Sequence, residues 1–118
     1  MPRRAASRDS PIVRALPVFA ALGDETRLAL VTRLCAGGPQ SITRLSEGAR
    51  VSRQAITKHL VVLERAGLAR RERSGRDRLW TLQTQRLAEV HHALEQISRD
   101  WDGALGRLKD FVETDARD

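Results

Sequence analysis

Apolar positions recur at helical spacing through most of the chain and change to a strand-like pattern near its middle. From Pro11, "PIVRALPVFAAL" is apolar enough for a short helix, which Pro17 must interrupt or restart because proline lacks the donor a helix interior needs. A better marked helix follows. Asp24 is placed to cap it, Leu28, Val31 and Leu34 recur on one face, and Gly37, Gly38 and Pro39 stop the run. In "SITRLSEGARVS", Ser41 suits a cap, Ile42 and Leu45 stand three apart, and Gly48 ends the short helix they predict. Ser52 then opens a longer helix in which Ile56, Leu60 and Leu63 share a stripe, closed by Gly67. Two helices joined by a short glycine-containing turn form a helix-turn-helix pattern. Beyond it, Leu68 to Arg73 and Arg78 to Leu82 read as strands around a four-residue turn, Ser74 to Asp77. Such a hairpin is marginal alone and must lean on the helices through Leu68, Leu79, Trp80 and Leu82.

Thr84 is placed to cap the last helix, whose apolar positions are Leu87, Val90, Leu94, Ile97, Trp101, Leu105, Leu108 and Val112, a seam of three- and four-residue steps. That seam would run roughly 39 Å at 1.5 Å per residue, longer than the ~26 Å diameter of a 100-residue domain, so part of it is expected to meet a second chain. Gly103 and Gly106 weaken the helix and favour a bend. The expected organisation is a flexible basic arm (1–10), a helix-turn-helix unit with its hairpin (11–83), a C-terminal dimerisation helix (84–113) and a frayed tail (114–118). The fold class is mainly α with a small β-hairpin.

Composition narrows the class further. A chain of 118 residues, 41% hydrophobic and 31% charged, suits one soluble domain. No apolar run approaches the eighteen or so residues of a membrane span, so no membrane partner is expected. The opening "MPRRAASRDSP" is basic without the apolar stretch of an export signal, and the lone Cys35 forms no disulfide framework; both point to the cytoplasm. Net charge is +6, divided as +3 over 1–49, +6 over 50–78 and −3 over 79–118. A positive field confined to the helix-turn-helix and hairpin is what a polyanion would meet, although charge alone also fits a solvated surface.

On the helix opened by Ser52, the apolar stripe leaves Arg53, Gln54, Thr57, Lys58 and Val61 on free faces. Arginine and lysine read guanine, glutamine reads adenine, threonine takes a base or a phosphate, and an apolar group meets the thymine methyl. Their place in the first two turns matters, because a recognition helix enters the major groove by its N-terminal end. The hairpin adds Arg70, Arg71, Arg73, Arg76 and Arg78, suited to phosphates beside the groove or to a minor groove. His59 fits two roles equally, a donor to phosphate or a polar partner fixing its helix against a neighbour. Cys35 reads as a small apolar filler. No Gly-rich phosphate loop, helical histidine pair or recognisable nucleophile set is present, so an enzyme is not expected, and no cofactor is called for.

Two segments, "LGDETRLALVTRL" and "VSRQAITKHLVVLERAGLARRERSGRDRLWTL", resemble the second helix and the recognition helix with wing of the ArsR/SmtB family of winged helix-turn-helix regulators. The similarity covers residues 15 to 83 well and the last helix more loosely. It implies a homodimeric repressor of double-stranded DNA with N- and C-terminal dimerisation helices, an imperfectly palindromic operator, and base contacts at Arg53, Gln54, Thr57 and Lys58. Metal-sensing members carry two cysteines where this chain has Ser41 and Thr43, and a second ligand set matched here by Glu89, His91, Asp102 and Leu105, which is incomplete. The adjacent His91 and His92 point about 100° apart and do not chelate as a pair. No metal is expected. The signal is then an unknown small-molecule inducer, oxidation of Cys35, or protein concentration alone. Two other readings use the same basic surface: a protein-interaction module docking an acidic partner, and a weakly specific architectural DNA binder.

Overall fold

The computed structural model describes residues 10–117; apart from Ser10, the expected basic arm lies outside them. The chain forms α1 (Pro11–Arg14), α2 (Leu16–Leu22), α3 (Glu25–Gly37), β1 (Gln40–Ser41), α4 (Ile42–Ser46), α5 (Arg53–Arg65), β2 (Ala69–Ser74), β3 (Asp77–Leu82) and α6 (Thr84–Arg117). Local chemistry sets these bounds. Ser10, Asp24, Ser41 and Ser52 each accept a backbone N–H from the first turn of the helix that follows. Pro17 falls in the first turn of α2, where a missing donor costs nothing, so the break lies at Ala15 between α1 and α2.

The strands form one antiparallel sheet in the order β1-β3-β2, with Gln40 opposite Trp80 and Arg71 opposite Trp80 from the other side. The strand β1 was not expected from the sequence. The hairpin turn is also tighter than expected: Ser74 pairs with Asp77, leaving only Gly75 and Arg76 between the strands. Gly75 has φ +63° and no other residue of the turn has positive φ, the pattern of a type II′ turn.

One core joins all of this. Val18 of α2, Leu30, Val31 and Leu34 of α3, Leu45 of α4, Ile56, Leu60 and Leu63 of α5, Leu68, Trp80 and Val90 cluster together. Leu28, expected on the buried stripe of α3, is 51% exposed, and Leu30 takes the core position. Cys35 is exposed and fills no apolar space.

The last helix is continuous through Gly103 and Gly106 and reaches Arg117, past the boundary at 113 expected for a frayed tail. Among the described residues, α1 and α2 pack along its N-terminal part. Leu87 and Val90, expected in the intermolecular seam, pack into the protomer's own core. Beyond Ala93 the helix projects, and the molecule measures 73 × 30 × 20 Å.

Candidate nucleic-acid interface

The helix-turn-helix consists of α4, the turn around Gly48, and α5. Arginines from α3 fix its geometry. Arg33 donates to the carbonyls of Arg44 (2.9 Å), Leu45 (2.9 Å) and Glu47 (3.2 Å), satisfying the C-terminal end of α4. Arg27 donates to the carbonyl of Ala21 and lies 3.2 Å from His59 Nδ1 on α5. The same ring nitrogen is 3.8 Å from Asp24. His59 thus lies between α5 and the start of α3, within reach of Arg27 and Asp24.

The expected base readers lie on the open face of α5. Arg53, Gln54, Thr57 and Lys58 are exposed and Val61 is half-buried. Ser52 is exposed as well, but its Oγ is occupied as the cap, 3.1 Å from the Ala55 N–H. Thr57 donates back to the Arg53 carbonyl at 3.1 Å, a bond it can exchange for another acceptor. Arg53 and Lys58 have no ion-pair partner among the described residues.

The hairpin arginines divide into two sets. Arg71 makes a two-pronged contact with Glu64 at 2.8 and 3.1 Å and lies 5.1 Å from the Trp80 ring centre, so it ties β2 to the last turns of α5. That contact holds the Glu64 carboxyl below its ordinary range and raises Arg71 further. Arg70 pairs with Glu72 along the strand. By contrast Arg73, Arg76 and Arg78 have no acidic partner among the described residues, and Arg73 stands directly opposite Arg78. Like charges facing each other across a ladder destabilise it, and an anion placed between them reverses the sign of that interaction.

Behind the N-terminal half of α5 is an open cavity of about 420 Å³, lined by Glu25, Thr26, Arg33, Arg50, Val51 and Ile56 among others. Sequence reasoning missed the structural arginines Arg27 and Arg33; a basic residue on an otherwise core-facing helix was the available signal. Among the described residues no group of three or more His, Cys, Asp or Glu is arranged to hold a metal ion. His91 and His92 each lie 3.5 Å from Glu95 on the exposed surface of α6. No described helix is long and apolar enough to cross a membrane.

A capped helix-turn-helix with a cationic outer face, followed by an arginine-tipped hairpin, defines a winged helix-turn-helix protein. Comparison with known proteins identifies the kind. A helix-turn-helix domain model matches residues 22–72. The HTH-type transcriptional regulator Rv2034 of Mycobacterium tuberculosis is 35% identical over 98 residues, spanning 83% of this chain and 88% of that protein. The solved structure of an ArsR-like transcriptional regulator from Rhodococcus sp. RHA1 shares 37% identity at a TM-score of 0.69, covering 83% of this chain and 92% of its own. At 20% identity and a TM-score of 0.60, the homodimeric winged helix-turn-helix domain of Mb0332 from Mycobacterium bovis shares the fold, covering 85% of this chain and 91% of its own. The chain belongs to the ArsR-like family of winged helix-turn-helix transcriptional regulators, and it is a DNA-binding regulator of transcription.

Proposed function

We propose that the chain is a cytoplasmic, non-catalytic repressor that binds a palindromic operator as a homodimer and blocks promoter DNA by occupying it. In this reading Ser52, Arg53, Gln54, Thr57 and Lys58 face the major groove, Arg70, Arg73, Arg76 and Arg78 serve the flanking phosphates, and Leu94, Ile97, Trp101, Leu105, Leu108 and Val112 join two protomers. Arg71 and His59 act from behind, holding wing and helix in place. The observation that carries the reading is the set of cations without acidic partners among the described residues, Arg53 and Lys58 on α5 with Arg73, Arg76 and Arg78 on the wing. A two-fold dimer would present two such sets to half-sites about 34 Å apart along the duplex. A small-molecule inducer would act most directly in the cavity behind α5, because Ile56 lines it and moves with the recognition helix.

The test is titration on an operator obtained by selection and on random duplex, at several salt concentrations. Arg53→Ala and Gln54→Ala are expected to lose about 1–3 kcal/mol of discrimination at individual base pairs. Arg76→Ala is expected to weaken binding to both duplexes alike and to reduce the salt slope by about one. Equal losses on both duplexes for every variant would remove the base-reading assignment. No enriched sequence would favour the architectural reading.

A further inference from the structure

We propose that the cavity between α3 and the α4–α5 turn takes a short apolar peptide of two or three residues, its ammonium end at Glu25 and its carboxylate end at Arg33, and that filling it weakens DNA binding. The site rests on the cavity itself; the effect on DNA rests on the repressor reading above, whose inducer it specifies. Glu25, Thr26, Ala29, Leu30 and Arg33 of α3 all line the space. At the helical repeat they form one stripe, which runs about 12 Å along the axis from Glu25 to Arg33. Leu30 and Ile56, each 2% exposed, give the cavity an apolar wall together with Ala29 and Val51. Its volume of about 420 Å³ falls in the range of small-ligand sites.

The charged groups select the occupant. Glu25, Glu47, Arg33 and Arg50 line the cavity, and none has an ion-pair partner among the described residues. Two carboxylates and two guanidiniums carry no net charge, so a simple cation or anion meets as much repulsion as attraction, whereas a zwitterion finds a partner for each end. The ends of the α3 stripe differ. In its first turn, the Glu25 carboxylate and the Thr26 hydroxyl are acceptors for an ammonium group. At the far end Arg33 donates through Nη1 and Nη2 to the carbonyls of Arg44, Leu45 and Glu47, which leaves its Nε–H without an acceptor among the described residues. A carboxylate there completes the guanidinium. An extended tripeptide spans about 10 Å between its terminal charges, close to the length of the stripe, and a single amino acid does not reach both ends. The same guanidinium ties the end of α4 to α3. A ligand carboxylate draws it from its longest bond, 3.2 Å to the Glu47 carbonyl, and loosens the turn that leads into Arg53 and Gln54. Occupancy therefore lowers operator affinity, and the operator lowers peptide affinity by the same factor.

Calorimetry on the full chain tests the site with leucyl-alanyl-leucine, its N-acetylated form and free leucine. The tripeptide is expected to bind saturably, one per protomer, and the other two about fivefold or more weakly. Glu25→Gln is expected to lower tripeptide affinity about fivefold and to remove the preference over the acetylated form. Ala29→Trp, which fills the cavity from an exposed position of α3, is expected to abolish saturable binding. On a selected operator, saturating tripeptide is expected to lower the affinity of the full chain about tenfold. Equal affinity for the free and acetylated tripeptides, or undiminished binding by Ala29→Trp, overturns the site. Tripeptide binding that leaves operator affinity unchanged overturns the coupling to DNA. Tripeptide binding by a chain for which selection returns no operator removes the repressor reading and leaves the site standing.

Discussion

Arg71 and Arg76 share one hairpin and one side-chain chemistry, yet the fold places them in opposite surroundings. Arg71 is held by Glu64 and Trp80, whereas Arg76 sits at the tip of the turn without an acidic partner among the described residues. Sequence spacing alone could not divide them, because the division depends on which strand residue comes opposite Trp80 and within reach of α5. His59 is similar: its reach to Arg27 and Asp24 depends on two helices separated in the chain. These internal contacts predict a pH dependence. The Arg27 backbone N–H holds the Asp24 carboxyl below its ordinary value, and hydrogen bonds from Arg71 do the same for Glu64. Both groups release their protons more readily folded than unfolded. Their stabilisation is therefore complete above the ordinary carboxylate range and is lost as pH falls through it toward the lowered values. Thermal unfolding followed from about pH 6 to about pH 3 should show the midpoint falling toward acid, and Asp24→Asn with Glu64→Gln should flatten that part of the curve. An unchanged curve in the double variant would mean the two pairs contribute nothing to folding.

The junction between recognition helix and wing depends on a backbone geometry that the sequence did announce. At the end of α5, the Leu68 N–H bonds the Leu63 carbonyl at 2.9 Å and the Gly67 N–H bonds that of Glu64 at 3.0 Å, with Leu63 and Leu68 both fully buried. This Schellman arrangement turns the chain directly into β2 and needs a left-handed residue, Gly67 at φ +81°. A Cβ there would also lie 3.0 Å from Arg86 Cγ. Gly67→Ala is accordingly expected to cost about 1–2 kcal/mol, measured by urea unfolding, and to loosen the wing before the helix in hydrogen exchange. Ser41, Ser52 and Asp24 were equally legible, since a capping side chain acts within its own first turn. Other features were not. The strand β1 spans two residues and offers no alternation to read. Within "LALVTRL" the apolar positions surround much of the helix, so periodicity could not choose Leu30 over Leu28; packing against α2, α5 and β3 makes that choice. The tighter turn follows from the pairing of Ser74 with Asp77, a matter of register between strands.

In the proposed homodimer the projecting helix separates folding from pairing, because the buried hydrophobic side chains end at Ala93 while the apolar seam continues to Val112. Its helical period was visible in the sequence; where the protomer's own core stops using it was not, since that depends on how far α1 and α2 extend along α6. A chain ending after Gln96 retains the residues of the core cluster and the cations of α5 and the wing. It should fold, with a circular-dichroism spectrum reduced only by the lost helix, and should sediment as a monomer. On a single half-site its affinity should match one protomer of the full chain. On a palindromic operator the full chain gains from tethering its second recognition helix at millimolar effective concentration, so the shortened chain should bind about 10²–10⁴-fold more weakly. Titrating both chains on half-site and palindrome duplexes at one salt concentration separates the effects. Equal losses on the two duplexes would place α6 in the DNA-contacting surface, whereas undiminished binding to the palindrome would show that two protomers are held together by something other than this seam.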